Sequence, residues 1–95
     1  LLTLSIAGGE RLMTMDPPFQ YFVRVMDEVS QFPSKGGDVF AKHVVDPGEI
    51  IRPGDEVIVI DSEKNVLAIG KAVMNRKEML AFQSGVAVKV RHGRE

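Results

Sequence analysis

One short segment between two turns constrains the fold more than any other. Residues 57–60 read Val-Ile-Val-Ile, and because successive side chains of a strand point to opposite faces, both faces of this strand are apolar. Such a strand needs cover on both sides, which is typical of a small barrel or sandwich. Pro53-Gly54 before it predicts a turn with a positive φ at Gly54, and the polar residues 61–65 after it predict a hairpin.

Further strands are predicted where apolar and polar residues alternate or apolar residues cluster. They cover residues 1–7, 19–25, 39–45, 66–73 and 86–91. Gly70 predicts a bend or bulge in one of them. The last strand has the clearest pattern, because valines at 86, 88 and 90 alternate with Ala87, Lys89 and Arg91. The valines are therefore expected to face the core and the two cations to face outward.

A first short helix is predicted at residues 26–32. Met26, Val29 and Phe32 recur at a spacing of three, which indicates one buried helical side. Because a proline lacks the backbone donor and restricts the residue before it, we expect this helix to end before Pro33.

A second short helix is predicted to begin at Asn75. Glu78 lies three residues later, a spacing that is typical of a capping box. Gly85 occupies the position expected for a left-handed C-terminal cap. The apolar residues predicted to form the buried side are Met79, Leu80 and Phe82.

The elements predict the α+β class, mostly β. We expect a compact, mostly antiparallel barrel of short strands with two small helices. Ninety-five residues suffice for one domain with one modest core. Residues 1–18 are interpreted as an N-terminal extension or the tail of a preceding domain, and residues 19–95 as the main domain.

The residue types leave little room for catalysis or metal binding by this chain. It has no cysteine, which excludes disulfides, cysteine-ligated zinc and a thiol nucleophile within it. The two histidines, His43 and His92, lack metal-ligand spacing, and no serine lies in a nucleophile motif. We therefore expect no cofactor, no metal and no enzymatic activity of this chain alone. The missing cysteines favour a cytoplasmic location, and no apolar run is long enough for a membrane span.

Positive charge is concentrated at the end of the chain. The net charge is −1, yet residues 71–95 hold six Lys or Arg against two Glu, a local net charge of +4. A spaced row of cations suits the phosphates and 2′-hydroxyls of duplex RNA. The alternative is a set of solvated charges that protects strand edges from aggregation. The candidate RNA-binding residues are Lys42, Lys71, Arg76, Lys77, Lys89 and Arg91.

Several motifs resemble one family of RNA-binding domains, the PUA family. They are VFAKHVVD at 39–46, IRPGDEV at 51–57, LAIGKA at 67–72 and GVAVKVR at 85–91. The resemblance covers about residues 19–92, and it is strongest with the PUA domain that ends archaeal tRNA-guanine transglycosylases and the related archaeosine synthases. It implies a pseudo-barrel with a helix covering one opening.

The resemblance also implies a function. In the tRNA-modifying members of the family this module grips the acceptor stem and 3′ end of tRNA while a separate catalytic domain or subunit modifies a base. It therefore implies tRNA and that catalytic part as partners. The alternative is a PUA domain that serves as a structural or regulatory appendage of a metabolic enzyme, without a dedicated RNA role. The basic final quarter of the chain favours the RNA-binding module.

Overall fold

The computed structural model describes residues 5–14 and 19–95 of the chain. Within them, six strands form one sheet: β1 (Phe22–Val25), β2 (Val39–Phe40), β3 (Val44–Pro47), β4 (Glu56–Ile60), β5 (Val66–Ala72) and β6 (Val86–Gly93). Three α-helices accompany it: α1 (Ile6–Met13), α2 (Gln31–Ser34) and α3 (Arg76–Ala81). Short 3₁₀ helices follow β1 at Asp27–Val29 and β2 at Ala41–His43. The predicted α+β, mostly β class is confirmed.

The sheet curls into a nearly closed barrel because its two edge strands are consecutive in the chain. The strand order is β2-β6-β5-β4-β1-β3, and each neighbouring pair is antiparallel except β1 with β4. Only the 3₁₀ turn Ala41–His43 separates the edges β2 and β3. The N–H of Met26 donates to the carbonyl of His43 (3.0 Å), and that of Ala41 to the carbonyl of Gly85 (3.0 Å). These bonds tie the turn to the segments next to β1 and β6.

The barrel interior holds the larger apolar cluster. The predicted core positions Val57, Val59 and Val88 are fully buried in it. Val86 and Val90 are only half-buried and Ala87 is fully buried. The strict alternation expected for β6 fails because its pairing shifts register against both β2 and β5. Met79 of α3 joins this cluster, so α3 covers part of the interior beside β3.

A second apolar cluster lies on the outside of the barrel. Ile58 and Ile60 of β4 and Val66 and Ile69 of β5 are at most 2% exposed. They are buried because α1 packs across β5 and contributes Met13 to this cluster. Both faces of β4 are therefore covered, as its apolar sequence predicts.

The strand predicted at residues 1–7 is wrong where the structure describes it. Ser5 is the N-cap of α1 and accepts a hydrogen bond from the N–H of Gly8 (3.0 Å), and Ile6 is the first helical residue. Gly9 does not end a strand but lets α1 approach the sheet, since a Cβ there would lie 3.1 Å from Ile69 Cδ1. Leu2 and Leu4 lie outside the described residues.

Two other predicted segments break up for identifiable reasons. The helix expected at residues 26–32 is replaced by the 3₁₀ turn Asp27–Val29 and by α2, which contains Pro33. A proline is tolerated in the first turn of a helix, where its missing N–H is not needed. The strand expected at residues 39–45 is interrupted by the 3₁₀ turn, because β2 and β3 belong to opposite edges of the sheet.

The second helix begins as predicted and ends differently. Asn75 accepts from the N–H of Glu78 (2.8 Å), and the N–H of Asn75 donates to the Glu78 carboxylate (2.9 Å), which confirms the capping box. Leu80 and Phe82 are about half exposed rather than buried. Gly85 has the expected positive φ of 95°, but it leads into β6 and lies four residues beyond the end of α3. Gly54 has the predicted positive φ, 96°.

Candidate nucleic-acid interface

Three charged residues form a row across the outer face of the sheet. Glu56 of β4 pairs with Lys71 of β5, and Lys71 pairs with Lys89 of β6. Directly opposed residues share a face. That face is the outer one, because the neighbouring residues Val57 and Val88 belong to the interior cluster. Both lysine side chains are exposed, so the structure places these two candidate residues side by side.

Arg91 reaches toward the acidic end of this row. The pairing of β5 with β6 shifts between Ile69 and Gly70, which leaves Arg91 as the extra residue of a β-bulge. The Nη2 atom of Arg91 is ion-paired with Glu56 Oε1. Since β5 separates β6 from β4, this side chain crosses β5. The predicted bulge at Gly70 is confirmed, and a Cβ at Gly70 would overlap the carbonyl oxygen of Lys89.

Arg76 is held by backbone and carboxylate acceptors at the start of α3. Its Nη1 lies 3.3 Å from Asp46 Oδ1 and donates to the carbonyl of Pro47. Asp46 also lies 3.8 Å from Nη2 of Arg24 on β1. Arg76 therefore fixes the first turn of α3 against β3.

Lys42 and Lys77 belong to the same end of the barrel as Arg76. Lys42 lies in the 3₁₀ turn and lines a shallow pocket with Leu80 and Phe82, and Lys77 lies in the first turn of α3. Both lysines are exposed. The ion pairs of residues 5–14 and 19–95 all involve arginines, which leaves the four candidate lysines open to solvent. The six candidates thus divide into a β5–β6 group and an α3 group.

An apolar groove of about 260 Å³ lies beside β2 and was not predicted. Phe32 and Phe40 line it and are 53% and 43% exposed. The rings of Phe40 and His43 meet edge to face, with centroids 6.2 Å apart. Asp38, also in the lining, accepts from the N–H of Val90 (3.0 Å), so the groove adjoins the strand that carries Lys89. The spacing of Met26, Val29 and Phe32 predicts that Phe32 is buried, and no local pattern in the sequence indicates its exposure.

The described residues offer no evident centre for metal chemistry. Among residues 5–14 and 19–95, no three His, Asp or Glu side chains are grouped so that they could hold a metal ion. None of the helices described there is long and apolar enough to cross a membrane.

The Ser62 hydroxyl donates to Asp27 Oδ2 (2.6 Å) and its N–H to Oδ1 (3.0 Å). Both hydrogen bonds lower the pKa of the Asp27 carboxyl, and the bond from the hydroxyl is the larger cause. They also tie the 3₁₀ turn to the β4–β5 hairpin.

Comparison with known sequences gives a consistent match. The model of the PUA domain family matches residues 21–94. A tRNA-guanine(15) transglycosylase of Thermococcus onnurineus is 45% identical over 95 residues, and one of Pyrococcus abyssi is 48% identical over 94 residues. These alignments cover 100% and 97% of this chain. The chain spans only 16% of the length of either relative.

Solved structures share the fold. A hypothetical protein of Pyrococcus horikoshii superposes with a TM-score of 0.85 at 31% identity, covering 98% of this chain and 57% of that one. A chain of an H/ACA ribonucleoprotein bound to a substrate RNA superposes with a TM-score of 0.74 at 27% identity. That match covers 78% of this chain and 23% of the other.

Proposed function

Because the chain belongs to the PUA domain family, we propose that it is the tRNA-binding module of a tRNA-modifying enzyme. In this proposal it grips the acceptor stem and 3′ end of tRNA while a separate catalytic domain or subunit modifies a base in the archaeosine pathway. The similarity to tRNA-guanine(15) transglycosylases supports that pathway. The module itself contributes binding and no catalytic step, and we place it in the cytoplasm with its tRNA.

The observation that carries the proposal is the direct pairing of Lys71 with Lys89 across β5 and β6. Like charges placed opposite each other destabilise a sheet, and in the described residues no carboxylate is ion-paired with either one. A bound phosphate removes this repulsion. The pair therefore destabilises the free domain slightly, and in the complex both lysines bind phosphate.

The α3 group extends the proposed contact. Lys42 and Lys77 are exposed cations at the end of the barrel that α3 covers, where a second stretch of phosphates can lie. The sequence also predicts RNA binding by Arg76 and Arg91, and no observation tests this. We propose that the four lysines make the phosphate contacts, because Arg76 is held by Asp46 and Pro47, and Arg91 by Glu56.

We propose that the groove beside β2 receives the unpaired 3′ end of the tRNA. Exposed aromatic rings bind single-stranded nucleotides by stacking, at about 1–3 kcal/mol per base. Phe32 and Phe40 supply such rings next to β6, which carries Lys89. We propose that a base of the 3′ end stacks here while the lysines hold the adjoining stem.

The rest of the enzyme is proposed to lie outside this chain. The length of the relatives leaves room for a catalytic part many times larger than the module. We propose that residues 1–18 are the tail of the domain before it and that residues 19–95 form the PUA domain. In that arrangement α1 is the connection, because it packs on the outer cluster through Met13.

The test is binding of an acceptor-stem hairpin with a single-stranded 3′ end, measured by fluorescence anisotropy at several salt concentrations. We expect the domain to bind, with affinity falling as salt rises, because phosphate contacts release counterions. Lys71→Ala with Lys89→Ala should weaken binding about tenfold or more at low salt. The slope of log K against log salt concentration should become shallower by about 1.4–1.8, because each of the two lost phosphate contacts contributes roughly 0.7–0.9.

A matched control removes the same charge elsewhere. Arg11→Ala with Lys64→Asn takes one exposed cation from α1 and one from the β4–β5 hairpin, where asparagine suits the positive φ of residue 64. This variant should bind within about twofold of the parent. No binding by the folded parent at low salt would overturn the proposal and favour the appendage role. Equal losses in the two double variants would show a general charge effect and no site.

A further inference from the structure

We propose that Glu56 restrains the RNA affinity of this domain by keeping Arg91 out of the phosphate-binding row. The inference rests on the RNA-binding function proposed above and concerns the regulation of the same surface. Without Glu56, the outer face of β5 and β6 would present three cations: Lys71, Lys89 and Arg91. With Glu56, it presents two cations and a neutralised pair.

The sheet places Glu56 where it can do this. It pairs directly with Lys71 on the outer face, so its carboxylate lies at one end of the lysine row. The bulge in β6 directs Arg91 across β5 to the same carboxylate. The side chain of Glu56 is 26% exposed and that of Arg91 is 36% exposed, so water only partly screens the pair.

The pair is also difficult to separate. Glu56 Oε1 is buried and accepts no hydrogen bond in the described part of the chain, so Arg91 is the group that balances its charge. A phosphate that binds Arg91 has to draw it away from this oxygen, which leaves a carboxylate uncompensated in a poorly hydrated place. The same phosphate then meets the negative charge of Glu56 beside Lys71. Both effects oppose phosphate binding at this end of the row.

Restraint of this kind limits non-specific affinity for polyanions. Phosphate contacts carry little sequence information, and a third exposed cation would strengthen binding to any nucleic acid. With Arg91 neutralised, a larger share of the binding free energy depends on RNA that contacts Lys71 and Lys89 together with Lys42 and Lys77. Glu56 is therefore a residue that tunes selectivity without touching the RNA.

The experiment replaces first the acid and then the whole pair. Glu56→Gln keeps the shape and removes the charge, and it should bind the acceptor-stem RNA about three- to tenfold tighter. The slope of log K against log salt concentration should become steeper by about 0.7–0.9, which corresponds to one added phosphate contact. Glu63→Gln, in the exposed hairpin, changes net charge equally and should stay within about twofold of the parent. Glu56→Gln with Arg91→Gln should also bind like the parent, because it replaces a neutral pair with a neutral pair.

Two results would overturn the inference while the parent still binds RNA. One is Glu56→Gln binding no more tightly than Glu63→Gln. The other is the pair variant losing as much affinity as Lys89→Gln, which would mean that Arg91 contacts phosphate in spite of Glu56. The pair variant leaves no charge unpaired, so this second result can still overturn the inference if Glu56→Gln fails to fold by circular dichroism. Absence of binding by the parent would instead overturn the proposed function, and this inference with it.

Discussion

The outer face of β4 and β5 has two halves with opposite chemistry. Toward the hairpin, Ile58 and Ile69 lie under α1 and are fully buried. Toward the other end, Glu56 and Lys71 lie on the same face of the same strands, where Glu56 is half-buried and Lys71 is exposed. Ile58 and Glu56 are two positions apart, roughly 7 Å along the strand. The length of α1 therefore sets where the core ends and where the surface proposed to bind RNA begins.

The strongest test of this division is to weaken the covered half. Ile69→Ala should destabilise the domain by about 2–4 kcal/mol, because it removes a fully buried side chain and leaves a cavity between β5 and α1. Urea unfolding followed by circular dichroism measures the change. Leu80→Ala, at a position that is 53% exposed, is the control and should cost less than about 1 kcal/mol. Similar values for both variants would show that the outer cluster is not a true core.

A second test acts on the border between the halves. Gly70→Ala should cost about 1–3 kcal/mol, since the added Cβ meets the Lys89 carbonyl oxygen and lies 2.9 Å from Val88 Cγ1. Relief of that overlap pushes β6 away from β5, so the pairing of Lys71 with Lys89 should loosen as well. Gly36→Ala adds a Cβ with nothing within 4 Å, and its cost comes only from the positive φ of that residue, a strain that Gly70 does not have. A Gly70→Ala variant as stable as the parent would remove close strand approach as the reason for Gly70.

The sequence predicts much of this architecture where one local rule dominates. The doubly apolar residues 57–60, the capping box at Asn75 and the positive φ of Gly54 each follow from a short pattern that tertiary packing does not oppose. The strand predicted at residues 1–7 fails for the opposite reason. Leu2, Leu4 and Ile6 alternate like a strand, whereas Ser5 as a cap and the apolar spacing of Ile6 and Met13 suit a helix against the sheet.

The candidate site is predictable only in part, because charge alone does not reveal partners. The alternation of β6 indicates correctly that Lys89 faces outward, and its pairing with Lys71 requires the strand register. The ion pair of Arg91 with Glu56 depends on a bulge and on the intervening strand, so no local spacing predicts it. The groove at Phe32 likewise arises from three segments that meet only in the folded chain.

A third test exploits the opposite behaviour of the open half. Lys89→Glu should stabilise the domain by about 0.2–1 kcal/mol, because it places an opposite charge across from Lys71. The same change should reduce RNA binding more strongly than Lys89→Ala. Thermal unfolding at low and high salt measures the first effect, and the gain should shrink as salt screens the pair. Loss of stability in Lys89→Glu at low salt would show that the two lysines do not repel each other in the free domain.

The smallest effect is expected where charge supports the fold at the hairpin. Asp27 accepts two hydrogen bonds from Ser62, which lower the pKa of this carboxyl, with the serine hydroxyl as the largest cause. A carboxyl whose folded pKa is depressed adds stability above its unfolded pKa, about 3.9, and loses it as the pH falls through the folded pKa. Ser62→Ala should therefore be less stable than the parent at pH 7, with a difference that shrinks below about pH 4. Urea midpoints at pH 7, 5 and 3, together with an NMR titration of the Asp27 carboxyl, measure the stability difference and the pKa.

Ser84→Ala, exposed in the loop before β6, is the control and should show no pH-dependent difference from the parent. A gap between Ser62→Ala and the parent that stays constant from pH 7 to 3 would mean that the hydroxyl acts through packing and not through the ionised form of Asp27.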